Sequence, residues 1–180
     1  MKRPFADYSG FRLYKINQPE YSHLKLLLGW PVFFLLFILT EQFIPAAQCR
    51  PIHCGLDDAI PFCELFVIPY VLWYGLIAFS LVYFLFYDVD SFKKLQKYIF
   101  FLQLSAILIY IIVPSRQDLR PEFFPRENLL TDIVAFIYSI DTNTGVCPSL
   151  HCAISIAIPS VWAKSKNVPK AVKISIALFC

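Results

Sequence analysis

Residues 65–87 read LFVIPYVLWYGLIAFSLVYFLFY, without one charged side chain. A stretch of this length and character crosses the hydrocarbon core of a bilayer, about 30 Å thick, as a single helix. Helix is required there because hydrocarbon offers no partner to an unpaired backbone N–H or C=O. Similar runs lie on either side. One extends from about Leu24 to Phe43, with Lys25 at its edge able to snorkel and Pro31 tolerable because neighbouring groups re-satisfy the freed carbonyl. Others run from about Tyr98 to Val113 and from about Pro148 to Ala163. A fifth starts near Ala171 and has reached about ten residues at Cys180. The fold expected is all-α, a multi-spanning membrane helix bundle of four spans plus part of a fifth. The run 98–113 is short for a span, so it is expected to be extended by its flanks or to sit where the bilayer thins.

Composition agrees. The chain is 58% hydrophobic, with eighteen Phe and ten Tyr against one Met, and its mean hydropathy is +0.59. Soluble domains are usually about 45–50% apolar, and aromatic enrichment of this kind suits lipid-facing and interfacial positions. A net charge of +3 with lysines in short clusters excludes nucleic acid as the expected partner and leaves the lipid bilayer. No pair of interrupted helices forms an inverted repeat, which argues against a transporter.

Orientation follows the basic residues. They cluster in the arm 1–23 (Lys2, Arg3, Arg12, Lys15), after the second run (Lys93, Lys94, Lys97) and after the fourth (Lys164, Lys166, Lys170). These segments alternate with two other loops, so the N-terminus is expected inside, in the cytoplasm. Loops 45–64 and 114–147 then face the outside or periplasm. The arm reads as a basic juxtamembrane segment or a solvated tail; residues 24–180 form the membrane domain.

The first outside loop holds Cys49, His53, Cys54, Asp57, Asp58 and Cys63. Their spacing matches no standard zinc pattern, and neither metal nor cofactor is expected. A disulfide among the three cysteines is expected on an oxidising face. Asp57 and Asp58 read as a turn and cap leading into the second helix. In the second outside loop, Thr131 to Asp141 is too short to span and reads as a short helix lying at the interface. Arg116, Arg120 and Arg126 stay on the side that basic residues disfavour, which suggests that they hold an anion. Compensation by Asp118, Glu122 and Glu127 is the alternative.

That loop leads into Gly145-Val146-Cys147-Pro148-Ser149-Leu150-His151-Cys152-Ala153. Proline suits the first helical position, which would put Ser149 and His151 in the first turn, among unpaired N–H groups that attract anions. A hydroxyl, an imidazole and guanidinium forks form a phosphate cradle; a capped helix start with an incidental histidine is the other reading.

Arg120-Pro121 and Pro148-Ser149-Leu150-His151, in a multi-spanning chain, resemble the type 2 phosphatidic acid phosphatase (PAP2) superfamily, in particular its branch related to inositol phosphorylceramide synthases. Asp57 to Phe62, running into Pro69-Tyr70 and Trp73-Tyr74, also looks like that branch. The family's first-motif lysine would fall on Val113 and is absent; Arg116 is a stand-in. Leu150 occupies a position where many members have glycine. The third motif (Ser-Arg with a later His and Asp) is not found before Cys180, and family members have six spans, so the resemblance implies a longer protein than 180 residues.

By this resemblance the chain is an integral membrane phosphatase or phosphotransferase acting on a lipid phosphate or lipid-linked phosphodiester at the outer face. A third-motif histidine would form the phosphohistidine. His151 would be the general acid, and Arg120, Ser149 and Arg116 would hold the phosphoryl oxygens. The roles are chemically sound, since phosphoryl transfer needs charge neutralisation on three oxygens and an alkoxide leaving group needs a proton from a group titrating near neutrality. Without the third motif the 180-residue chain is expected to be inactive. From a different class, the alternative is a non-catalytic anion-binding or scaffolding membrane protein.

Overall fold

The computed structural model describes residues 7–165 and 168–180; Lys2, Arg3 and Lys166 of the basic segments lie outside them. The described chain is mostly helical. Its six α-helices are α1 (Gly29–Phe43), α2 (Val67–Tyr87), α3 (Val89–Ile112), α4 (Leu129–Ile140), α5 (Leu150–Lys164) and α6 (Lys170–Phe179). Two two-residue strands, β1 (Arg50–Pro51) and β2 (Ser115–Arg116), pair in parallel.

Among the described residues three helical segments are long and apolar enough to cross a membrane: Ser22–Phe43, Glu64–Tyr87 and Val89–Ile112. The third is the run 98–113 extended by its N-terminal flank, one of the two expected outcomes; what it corrects is the lysine loop expected before it. α3 starts at Val89, so Lys93, Lys94 and Lys97 lie in its first turns. Asp88 makes this possible by capping: its Oδ1 accepts from Ser91 N at 3.1 Å and its Oδ2 from Ser91 Oγ at 2.7 Å. Lysine stems on the first turns of a span can also snorkel towards water. The fourth run is corrected as well. α5 has 15 residues, about 22 Å at 1.5 Å per residue, short of a hydrocarbon core.

The chain divides into two compact units, the first comprising 1–35, 75–105 and 150–180, the second 36–74 and 106–149. In the first, Trp162 of α5 is the centre of packing. Its ring lies 4.6 Å from Phe84, 4.8 Å from Tyr83 and 5.9 Å from Phe79, and its Nε1 donates to Ser80 Oγ at 2.9 Å. Phe84, Phe92, Leu95, Ile99 and Ile158 of the same unit are also fully buried. Ser165 Oγ donates to Asp88 Oδ2 at 2.8 Å, and Lys173 of α6 caps the end of α5 by donating to the carbonyls of Ala163 and Ser165. The arm is more than a solvated tail. Tyr8 donates to the Leu85 carbonyl at 3.0 Å and lies 2.7 Å from Nε2 of buried His23, and Phe11 packs edge-on against Tyr21.

In the second unit, α4 covers the short helix expected over 131–141 and begins two residues earlier. Asn128 caps it through a capping box: its Oδ1 accepts from Leu130 N and Thr131 N, and Thr131 Oγ1 accepts from Asn128 N. The Asn128 Nδ2 donates to Oε1 of Glu64 at 3.2 Å, and Arg126 reaches the same oxygen at 3.3 Å. Glu64 is buried, whereas the Arg126 side chain is 73% exposed. Glu64→Ala should therefore destabilise by about 0.5–1.5 kcal/mol, the net worth of the hydrogen bond that steadies the capping residue. Arg126→Ala should cost less than that, because the arginine side chain is largely in solvent and the Glu64 carboxylate keeps its bond from Asn128. Thermal unfolding of both variants in the same detergent checks this, and equal costs would refute it.

Two expectations for loop 45–64 are corrected. Cys49, Cys54 and Cys63 carry free thiols; Cys49 is buried, with its Sγ against the Pro45 carbonyl at 3.7 Å. The two aspartates cap no α-helix. Asp57 Oδ2 accepts from Cys54 N and Asp58 accepts from His53, both inside the loop. The Asp58 hydrogen bond raises the His53 pKa above its usual value.

Candidate functional site

The sequence PSLH does not start the helix where a proline at the first helical position would. α5 begins at Leu150. Pro148 lies two residues earlier, behind a cis Cys147–Pro148 peptide bond, so Ser149 flanks the helix and only His151 falls in its first turn. The reason is that the preceding backbone is already engaged. The Tyr110 hydroxyl donates to the Pro148 carbonyl at 2.8 Å. Buried Ser115 uses its Oγ both to accept from Cys147 N at 3.1 Å and to donate to the Cys147 carbonyl at 3.4 Å. Gly145 N donates to the Ser115 carbonyl at 2.8 Å. Gly145 has φ +61, and a Cβ there would stand 3.3 Å from the Tyr110 ring, so only glycine fits without strain.

Segment 142–147 thus lies along segment 115–118. Gln117 N donates to the Asn143 carbonyl, and Asn143 Nδ2 donates to the Gln117 carbonyl and to Asp118 Oδ1. Arg116 and Thr144 form a further backbone bridge. The Thr142 hydroxyl donates to the carboxylate of Glu41, at the end of α1, and meets Thr144 Oγ1 at 2.8 Å.

The two predicted phosphate arginines meet this segment. Arg116 Nε donates to Asp118 Oδ2 at 3.0 Å and its Nη1 to the Ala46 carbonyl at 2.7 Å. Arg120 reaches the C-terminal end of α4: Nη1 donates to the carbonyls of Tyr138 at 3.4 Å and Asp141 at 2.8 Å, and Nη2 to that of Thr142 at 2.6 Å. Its guanidinium lies 4.3 Å over the Tyr138 ring and 3.9 Å from Asp141 Oδ2. Cation–π contact and carbonyl capping together hold the fork in one orientation. These three bonds leave two of the five guanidinium N–H donors, Nε–H and one on Nη2, for an incoming anion.

A pocket of about 340 Å³ opens beside Arg120. It is lined by Glu41, Tyr138, Ile140, Asp141, Thr142 and Thr144, among others. Ser149 is exposed and belongs to the same unit; His151, half-buried, belongs to the first unit. The second unit therefore gathers Arg116, Arg120 and the loop ending in Ser149. The residues that build this cradle and that motif reading passes over are Tyr110, Ser115, Glu41, Asp141 and Thr142. A polar side chain near the end of an apolar run, as with Glu41 and Tyr110, is the one signal that pointed to them.

No family model matches the chain, and comparisons with curated proteins and with solved structures also find no match.

Proposed function

We propose that the chain is a membrane-embedded phosphatase or phosphotransferase of PAP2 type, acting on a lipid phosphate or lipid-linked phosphodiester at the outer membrane face. The observation that carries the reading is Arg120, a guanidinium held by a helix end and an aromatic ring beside a pocket rich in hydroxyls. Arg120 and Arg116 supply charge to the phosphoryl oxygens, Ser149 a hydrogen bond, and His151 the proton for the leaving alkoxide. The three span-length helices support a multi-pass membrane protein. The orientation, with the N-terminus cytoplasmic, draws support from the division of charge. Among the described residues the first unit carries nine basic and four acidic side chains, the second four basic and nine acidic.

The structural use of Arg120 also favours the second reading, a non-catalytic anion-binding or scaffolding protein, since three carbonyls already occupy its fork. Either way an anion must compete with Asp141. Vanadate binding to the full chain in bilayer nanodiscs tests the site. Arg120→Ala should weaken it by about 1.5–3 kcal/mol, the worth of a charge-assisted contact. Asp141→Asn should strengthen it severalfold by removing the resident carboxylate. No measurable vanadate affinity, or weakening by both substitutions, would overturn the assignment. Turnover in a protein that carries the third motif then separates enzyme from scaffold.

A further inference from the structure

We infer that α4 seats the hydrocarbon chain of the phosphate-bearing lipid whose headgroup enters the Arg120 pocket; the inference rests on the phosphate-site reading above. α4 has two apolar faces. Thr131 and Val134 are buried, while Leu129, Phe136 and Ile140 are 73%, 65% and 68% exposed. At 100° per residue those three, with Ile133 between them, fall on one narrow stripe along the helix. The polar positions Asp132 and Ser139 lie to one side of it.

The stripe reaches the pocket at its C-terminal end. Ile140, its last member, also lines the pocket beside Arg120 and Asp141. Ile44, Ala46 and Tyr138 line the pocket too; a molecule whose anionic end pairs with Arg120 leaves the pocket over Ile140 and continues along Phe136, Ile133 and Leu129. From 129 to 140 the stripe is about 16 Å long at 1.5 Å rise per residue, comparable to the first dozen carbons of an extended acyl chain. The capping of α4 by Arg120 ties the two ends of this site together, because the residue that takes the phosphate also fixes the helix that carries the chain. Phe136 and Ile140 are accordingly residues that determine lipid specificity, not residues that touch the reacting atoms.

The test uses the full chain in phosphatidylcholine nanodiscs, with the photo-crosslinking residue benzoyl-phenylalanine in place of Phe136. Phosphatidate or diacylglycerol with identical isotope-labelled chains is added at the same fraction, and adducts are counted by mass spectrometry. Phosphatidate adducts should exceed diacylglycerol adducts by roughly tenfold, the low end of what a charge-assisted contact provides. The ratio should fall to near one in Arg120→Gln and rise in Asp141→Asn, a variant that keeps the Arg120 cap and so guards against a merely unfolded α4. Equal adducts of the two lipids would show that the stripe sees bulk membrane only and would overturn the inference; adducts indifferent to both substitutions would do the same. Arg120-dependent vanadate binding alongside equal adducts removes the inference and leaves the phosphate site standing. Loss of that vanadate binding removes both.

Discussion

Replacing His151 with alanine should lower turnover by about 10²–10⁴-fold, the contribution of a lost general acid, while vanadate affinity stays within about threefold. Under the PAP2-type proposal, the measurement uses a protein that carries the third motif, so that a nucleophile is present. A nitrophenyl phosphate should partly rescue His151→Ala, because nitrophenolate leaves without a proton. It should rescue Arg120→Ala much less, because charge on the phosphoryl oxygens must be neutralised whatever leaves. His151 stands in the first turn of α5, one residue past its start. Equal rescue of the two variants, or none for His151→Ala, would return His151 to a structural role in that turn.

The second large effect concerns the packing of the first unit. Trp162→Ala should destabilise by about 3–5 kcal/mol, as full truncation of a buried large aromatic does. Trp162 is 1% exposed and contacts three aromatic rings, so truncation leaves a void with no partner atoms. It also strips Ser80, itself fully buried, of the indole N–H that it accepts from. In a bilayer the apolar transfer term is small, and the loss is mainly of packing and of the hydrogen bond. Trp162→Phe should cost less than half as much, since it restores most of the volume. Steric trapping or thermal unfolding in nanodiscs measures both, and a Trp162→Ala cost under about 1 kcal/mol would show that the cluster relaxes into the space.

The positions of the apolar helices were legible because the requirement is local. Hydrocarbon thickness sets a length and unpaired backbone sets a conformation, and both can be read from consecutive residues such as 65–87. The start of α4 was nearly as legible, since Asn128 and Thr131 cap it within four residues. The lysines of α3 misled for a related reason: charge marks the membrane boundary, whereas helicity there depends on the cap at Asp88 and can continue past that boundary.

The candidate site was legible in residue type but not in use. Arg120, Arg116 and Ser149 are residue types that an anion site needs, which is as far as chemistry alone carries them. That Arg120 spends its fork on α4 depends on carbonyls 18 to 22 residues away, and that Glu41 steadies Thr142 depends on a partner 101 residues away. Pro148 stands outside its helix because Tyr110, 38 residues earlier, and Ser115, 32 residues before Cys147, claim the backbone before the helix can begin. Such bonds leave no period in the sequence, since their partners meet only after the helices have packed. The sequence by itself determined which segments suit hydrocarbon and which side chains can meet a phosphate. Only the tertiary structure decided which donors remain for it, because a hydrogen bond between distant residues exists once folding brings its two ends within about 3 Å.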